Sequence, residues 1–390
     1  MKMIAASILI GDRVELENVP DISDIQALST ILIKMGAQIE RDQHRLTLDT
    51  SQLKAIEPEA SLVRSIRASV VLIGPLLARF GQVSLSHPGG DKIGRRPIDR
   101  HIKAFRQLGV KVEEIQDGYL FQKGKLTKNR VVFERISVTA TENILLFAAG
   151  QTQKITIENA AIEPEIMDLI EFLKKAGAKI QVTGRKMTIS GGQLRGVNHR
   201  VIPDRIEAGT FAVLAAASQS PLKISAINPE HLQPFCEKLA EIGVQFEIGR
   251  DFLYIKSSSV LKPVTIKTAE YPGFSTDWQP PMSLLLTQAN GKSRIYENIF
   301  ENRLGHLEEL KKMGARVKIR HRHEAEIWGP TKLHCAQIAS LDIRSGATLI
   351  IAGLIAQGQT IINQAENIDR GYEKIEERLQ KLGADIRRTL

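Results

Sequence analysis

The chain of 390 residues holds two cysteines, and neither Cys236 nor Cys335 lies in a CxxC or a metal-ligand spacing. That excludes a disulfide framework and a zinc ribbon, and both thiols read as reduced core residues of a cytosolic protein. Aromatic residues reach only 5%, which argues against modules that stack nucleobases on exposed rings. No apolar run reaches the length of a membrane span. The opening MKMIAASILIG is too short an apolar stretch for a secretory signal, and Asp12 and Arg13 follow without a small-residue cleavage site. No Lys/Arg block or basic tail is present. The net charge of +9 is spread along the chain and fits small polyanionic ligands at least as well as a nucleic acid.

Hydrophobic residues make up 43% of the chain and charged residues 25%. Those proportions describe a soluble globular protein, and the length favours two domains over one core.

The positive content is a repeat. A helix, a glycine, a small or β-branched residue and an alternating strand recur around Gly36, Gly109, Gly177, Gly243, Gly314 and Gly383, at separations of 73, 68, 66, 71 and 69 residues. Each glycine falls just past a helix, where a positive φ is wanted. Between these markers runs a second element: a nearly all-apolar helix, a turn and a strand. Its copies include ASVVLIGPLLARFGQVSLS, TENILLFAAGQTQKITIEN and GTFAVLAAASQSPLKISAI. A helix apolar on most faces is a buried helix. The simplest architecture is an α/β array of six units, three per domain. In the first unit the chain begins inside the buried helix, so that unit reads as lacking its opening strand and loop.

Charged segments precede the other five buried helices. They carry Arg64 and Arg67; Arg135, Thr139 and Glu142; Asp204, Arg205 and Glu207; Thr276 and Asp277; and Asp342 and Arg344. Helix N-termini attract anions. If related units point the same ends inward, these residues face one cleft between the domains. Capping suffices to explain Thr139 and Ser345. Arginine does not cap N-termini, so Arg67, Arg205 and Arg344 point to anion binding or buried ion pairs.

The loop SHPGGDKIGRRPIDRHI is rich in glycine and carries Asp91, Lys92, Arg95, Arg96, Asp99 and Arg100. It does not match a P-loop. A cationic lid over a phosphate and a solvated surface loop both fit it. HRHE at 321–324 falls where the repeat places a strand-to-strand turn. No third ligand is near in sequence, so it reads as a solvated turn and not a metal site.

In the stretches IRASVVLIGPLLARFG, PGGDKIGRRPIDRHI, ATEN, IENAAIEPEIMDL, PDRIEAGTFA, the STD of GFSTDWQP, IFENR and IDRGYEKIEERL, the chain resembles the enolpyruvyl transferases. The likeness spans nearly the whole sequence in order. It is stronger to the branch acting on UDP-N-acetylglucosamine than to the related shikimate-pathway branch. The resemblance implies a two-domain, inside-out α/β barrel of six pseudo-repeats, with domains at 1–202 and 203–390 and a mobile Gly-rich loop at 86–97. Substrates are then expected between the domains.

The implied reaction transfers the enolpyruvyl group of phosphoenolpyruvate to the 3-hydroxyl of UDP-N-acetylglucosamine. Such chemistry needs a base, an acid and cations on the phosphate and carboxylate. By resemblance Asp277 is the base candidate and Asp91 the proton donor. Arg96, Arg303, Arg344 and Arg370 match phosphoenolpyruvate contacts. Arg67, Arg96, Pro97, Ile98, Asp99, Arg100, Arg135, Ile136, Ser137, Val138, Asp277 and Ile299 match the UDP-sugar contacts. No metal, cofactor, nucleic-acid or membrane partner is implied, and a cytoplasmic monomer is expected.

Two departures bear on activity. Most members of the resembled family carry cysteine where this chain has Asp91. An aspartate can donate a proton there only if its pKa is raised, and burial under a closed lid is expected to outweigh neighbouring arginines. Fosfomycin, which alkylates that thiol, should then not inactivate this chain. The family also has a Lys-Asn pair ahead of residue 1. Its absence reads as a late start codon or a weakened form. The alternatives are a non-catalytic UDP-sugar-binding paralogue, the transferase specific for shikimate 3-phosphate and, more distantly, a nucleic-acid binder.

Overall fold

Apolar segments with no charged face can form stable helices only where other elements cover them on every side. Among the described residues, six such helices occur: Lys2–Ser7, Ile73–Phe80, Val138–Ala149, Arg205–Ser218, Gln279–Leu286 and Ile343–Ile355. The structure is a computed structural model that describes residues 1–258 and 260–389. It divides into two units. One is Met1–Gly90 with Arg96–Ile202, and the other is Asp91–Arg95 with Pro203–Leu390. Five residues of the Gly-rich loop thus group with the second unit.

In the first unit every residue from Ala140 to Ala149 is buried. Helix Ile73–Phe80 packs directly on Val138–Ala149. Gly74 makes this possible, because a Cβ there would lie 2.2 Å from the backbone oxygen of Asn143. The Gly74 N–H donates to Asn143 Oδ1 at 2.7 Å, and Asn143 Nδ2 donates to the Val70 carbonyl at 2.8 Å. A buried side-chain amide is satisfied in this way.

The amphipathic helices Ser23–Lys34, Asp99–Gln107 and Pro164–Lys175 each bury one face. Gly36, Gly109 and Gly177 follow them with φ of 104°, 89° and 114°, as the repeat requires. A hairpin follows each glycine and joins a small sheet.

The first repeat is completed differently from the third. Val14–Glu17 pairs on one edge with Arg45–Asp49. Its other edge is taken by Asn198–Arg200, which runs parallel in the register Glu15↔Asn198 to Glu17↔Arg200. In the third repeat the corresponding place beside Ile155–Glu158 is held by Arg130–Val132. In the first repeat that position is held by a strand from the far end of the same unit. Strand pairing depends on proximity in space, not on chain order.

In the second unit the helices Arg205–Ser218, Gln279–Leu286 and Ile343–Ile355 pack against one another. The amphipathic helices Gln233–Ile242, His306–Lys312 and Ile375–Lys381 again end before glycines of positive φ, Gly243, Gly314 and Gly383. The fullest sheet here runs from Thr265–Lys267 through Gly291–Tyr296 and Glu324–Gly329 to Arg316–His321. HRHE forms the turn between the last two strands. Cys236 is buried, but Cys335 is exposed. The apolar run around Cys335 is loop rather than strand, so no inward alternation governs its side chain.

Candidate functional site

In the second unit the site is built on Asp277. Ser275 starts the short turn Thr276–Trp278, its Oγ accepting from the Asp277 N–H at 3.2 Å. The Trp278 ring is fully buried, with centroids 5.2 Å from Phe235 and 5.6 Å from Phe274, and its Nε1–H donates to the Arg205 carbonyl at 3.1 Å. The residue beside Asp277 is thus locked by packing. The Asp277 carboxylate lies between two guanidiniums: Oδ1 is 2.9 Å from Arg303 Nη2, and Oδ2 accepts from Arg344 Nε at 3.2 Å. Burial alone would raise its pKa. The charges of Arg303 and Arg344, joined by that of Arg205, outweigh burial and hold it well below the usual carboxylate range.

Each cation is itself held. Arg344 stands in the first turn of helix Ile343–Ile355, where Asp342 Oδ1 accepts from the N–H groups of Arg344 and Ser345 at 2.9 and 3.1 Å. The Ser345 hydroxyl accepts in return from the Asp342 N–H at 2.9 Å, closing a capping box. The Arg344 guanidinium lies over the Tyr372 ring at 5.3 Å, and that of Arg205 over Trp278 at 5.1 Å. Arg303 is 4% exposed. Among the described residues, Arg303 Nε and Arg344 Nη1 are buried donors with no hydrogen-bond partner. Unmet cationic donors are costly, and an anionic ligand would supply their acceptors.

Residues 91–95 belong to the same unit. Asp91 pairs with Arg370 Nη1, and the two side chains are 13% and 16% exposed. The carboxylate expected to be governed by burial is therefore also the counter-ion of an arginine. Asn302 donates from its N–H to the Ile93 carbonyl at 3.1 Å and from Nδ2 to the Lys92 carbonyl at 3.0 Å. The Arg95 N–H donates to Glu301 Oε1 at 2.8 Å. A Cβ on Gly94 would lie 2.5 Å from the Glu301 carboxylate. IFENR is thus the seat of this part of the loop.

In the first unit the loop's other glycines are set by close backbone approach. A Cβ on Gly89 would lie 1.6 Å from the Arg64 carbonyl oxygen, and one on Gly90, whose φ is 102°, would lie 2.6 Å from Arg67 Cβ. Arg67 donates to the carbonyls of Arg96 and, at 3.4 Å, Pro88. Burial, then the charge of Arg96, push the Arg67 guanidinium down to about 10, and it stays cationic at neutral pH. Arg100 Nη1 donates to the Ile136 carbonyl at 3.1 Å, so 96–100 is tied to 135–138. Ile98 is buried, while Pro97, Asp99 and Arg135 are exposed. Ser137 and Val138 open helix Val138–Ala149.

His101 lies buried in this region, 3.1 Å from Thr139 Oγ1. Burial, with the charge of Arg67, pushes the imidazole down to about 3, so it is neutral. Thr139 is inside the helix and does not cap it, contrary to the reading of it as a cap. Ser345 does take part in a cap, beside Asp342.

Sequence reasoning singled out Arg303 of IFENR but not Glu301, Asn302 or the preceding Glu297. For Glu297 a signal existed. It continues the parity of Ser293 and Ile295, which face inward, and a carboxylate at an inward strand position marks a specific set of partners.

A fold of buried helices inside small sheets is shared with the enolpyruvyl transferases. The enolpyruvyl transferase NikO from Streptomyces tendae superposes with a TM-score of 0.91, covering 99% of this chain and 92% of that one at 27% identity. EPSP synthase from Acinetobacter baumannii shares the fold, with a TM-score of 0.74 at 19% identity over 99% of this chain and 94% of its own. Residues 1–379 match the EPSP synthase (3-phosphoshikimate 1-carboxyvinyltransferase) family, and the chain belongs to this family of transferases. Among its relatives, the UDP-N-acetylglucosamine 1-carboxyvinyltransferase of Koribacter versatilis is 44% identical over 99% of this chain and 90% of its own. The enzyme of that name numbered 1 in Clostridium acetobutylicum is 43% identical over 100% of this chain and 94% of its own.

Proposed function

We propose that the chain transfers the enolpyruvyl group of phosphoenolpyruvate to the 3-hydroxyl of UDP-N-acetylglucosamine, releasing phosphate. This is the first committed step of peptidoglycan synthesis, and the reading places it in the cytoplasm, in a monomer. The observation that carries it is the pair of guanidiniums, of buried Arg303 and half-buried Arg344, held around Asp277 with donors still unmet, in a chain whose relatives bear that activity's name.

Asp277 serves as the base. In the free protein its arginines make it a poor one. When the anionic substrates draw Arg303 and Arg344 onto their own oxygens, the carboxylate recovers basicity and accepts the proton of the sugar hydroxyl. That oxygen bonds to C2 of phosphoenolpyruvate while C3 gains a proton from Asp91. Arg370, now the partner of Asp91, turns to the phosphate or carboxylate and frees the acid. Loss of a proton from C3 then expels phosphate from C2 and restores the double bond. Cations around the adduct stabilise its charge. Arg67, Arg96, Ile98, Arg100 and Ile136–Val138 hold the UDP-sugar, with Ile299 on the sugar side. The reaction needs only proton transfer and charge neutralisation, so the proposal invokes no cofactor.

The test is phosphate release from phosphoenolpyruvate with UDP-N-acetylglucosamine or shikimate 3-phosphate as acceptor. Release with the first and not the second is expected. Release only with shikimate 3-phosphate, or none despite tight UDP-N-acetylglucosamine binding, would overturn it.

A further inference from the structure

One buried carboxylate outside the roles assigned above organises the segments that carry them. Glu297 is fully buried at the end of strand Gly291–Tyr296. Its Oε1 accepts from the N–H groups of Ile299 and Phe300 at 2.9 and 3.2 Å, and from Thr268 Oγ1 at 3.0 Å. Its Oε2 accepts from Thr276 Oγ1 at 2.9 Å. The Thr268 hydroxyl also receives the Asn298 N–H at 2.8 Å, and Asn298 Nδ2 donates to the Thr268 carbonyl at 3.0 Å. Three separate stretches meet at this one side chain: residue 268 after strand Thr265–Lys267, the turn bearing Asp277, and the turn bearing Ile299.

A carboxylate is suited to this task because it is acceptor-only when ionised, and four donors here converge on its two oxygens. A glutamine offers one accepting oxygen and an NH2 that cannot accept. Two backbone N–H groups on one oxygen also fix the path of residues 298–300, as an anion fixes a turn. The chain then runs directly to Glu301, Asn302 and Arg303, which hold the loop 91–95 and Asp277. Around the carboxylate, Arg303 is the nearby cation, and Thr268 and Thr276 supply the hydroxyls.

We infer that Glu297 is a positioning residue for the transfer reaction: it sets the spacing between Asp277, through Thr276, and Ile299, through its own turn. The inference rests on the function proposed above, because it assigns Asp277 to the hydroxyl and Ile299 to the sugar of one substrate. It extends that reading with a residue that touches neither substrate.

The test compares Glu297→Gln with Glu297→Ala and Thr276→Ala, reading kcat, both KM values, UDP-N-acetylglucosamine affinity by calorimetry, and the melting temperature. Glu297→Gln should lower kcat about 10- to 100-fold, the range lost with charge-assisted hydrogen bonds. It should raise the KM for UDP-N-acetylglucosamine more than that for phosphoenolpyruvate. Thr276→Ala should lower kcat with little change in sugar affinity, and its effect should largely vanish in the Glu297→Gln background. Wild-type kcat and KM in Glu297→Gln would overturn the inference. So would a uniform loss in every parameter that tracks the melting temperature across all variants, which marks a purely structural role. If the wild-type protein binds the UDP-sugar but releases no phosphate, the functional reading fails on its own account. Glu297 is then judged by affinity: a sugar affinity unchanged in Glu297→Gln overturns it, and a weakened one in a normally melting variant supports it.

Discussion

Asp277 Oδ1 lies 2.9 Å from Arg303 Nη2, and the same carboxylate accepts from Arg344 at 3.2 Å through its other oxygen. In the free protein the proposed base is therefore the counter-ion of the cations proposed to bind substrate. Removing its charge should leave buried Arg303 and half-buried Arg344 without their shared counter-ion. Asp277→Asn is expected to lower kcat by about 100- to 10,000-fold, as for loss of a general base. It should also lower the melting temperature, and millimolar phosphoenolpyruvate should restore more of that temperature than it adds in the wild type. Steady-state kinetics and thermal melts with and without ligand check both halves.

Asp91 stands where most of the resembled family carries cysteine, and it pairs with Arg370. A carboxylate is not the soft nucleophile that an epoxide antibiotic alkylates. Wild-type protein should keep full activity after prolonged fosfomycin treatment. Asp91→Cys should be inactivated in a time-dependent way with one adduct at residue 91, read by mass spectrometry. The neighbouring Arg370 should favour the thiolate.

Gly89 has no room for a methyl group, since a Cβ would lie 1.6 Å from the Arg64 oxygen. Gly89→Ala must push the loop off residues 64–67, and with it the carbonyls that Arg67 reaches. UDP-N-acetylglucosamine binding should weaken at least about 10-fold, in keeping with the cost of forcing a side chain into a glycine-only contact. Gly124, with nothing within 4 Å of its Cβ position, is the control: its alanine variant should bind normally in calorimetry.

Stability should fall on the acid side. Burial pushes His101 down to about 3 and His306 down to about 4. Arg67 and Arg100 act with burial on His101, while Asp342 opposes it and Arg303 supports it at His306. Both imidazoles are neutral in the folded chain, while the unfolded chain protonates them near the ordinary value of about 6.5. The unfolded state therefore binds more protons below that value. Their contribution is whole above it and is lost as pH falls toward the folded values, at up to about 1.4 kcal/mol per pH unit for each histidine. Urea midpoints across this range should show the slope, and His306→Gln should flatten it.

Much of this protein was legible in one dimension. The six glycines lie after amphipathic helices with positive φ, and the apolar segments between them are buried helices, because both features are local and obey fixed periods. Asp277, Arg303 and Arg344 were each recognisable through motif likeness. Their pairing was not, since residues 277, 303 and 344 are brought together only by packing of separate helices and turns. Nor did sequence foretell that Asn198–Arg200 would complete the first sheet, or that Cys335 would face solvent.

The sequence by itself determined the repeat, the buried helices, the glycines of the loop and the family, because each depends on residue type at short, regular spacing. Only the tertiary structure decided which cation answers which carboxylate. Asp91 found Arg370, Asp277 found Arg303 and Arg344, and Glu297 gathered four donors. Charge complementarity is a property of distance in space, and the residues that satisfy it lie up to 279 positions apart.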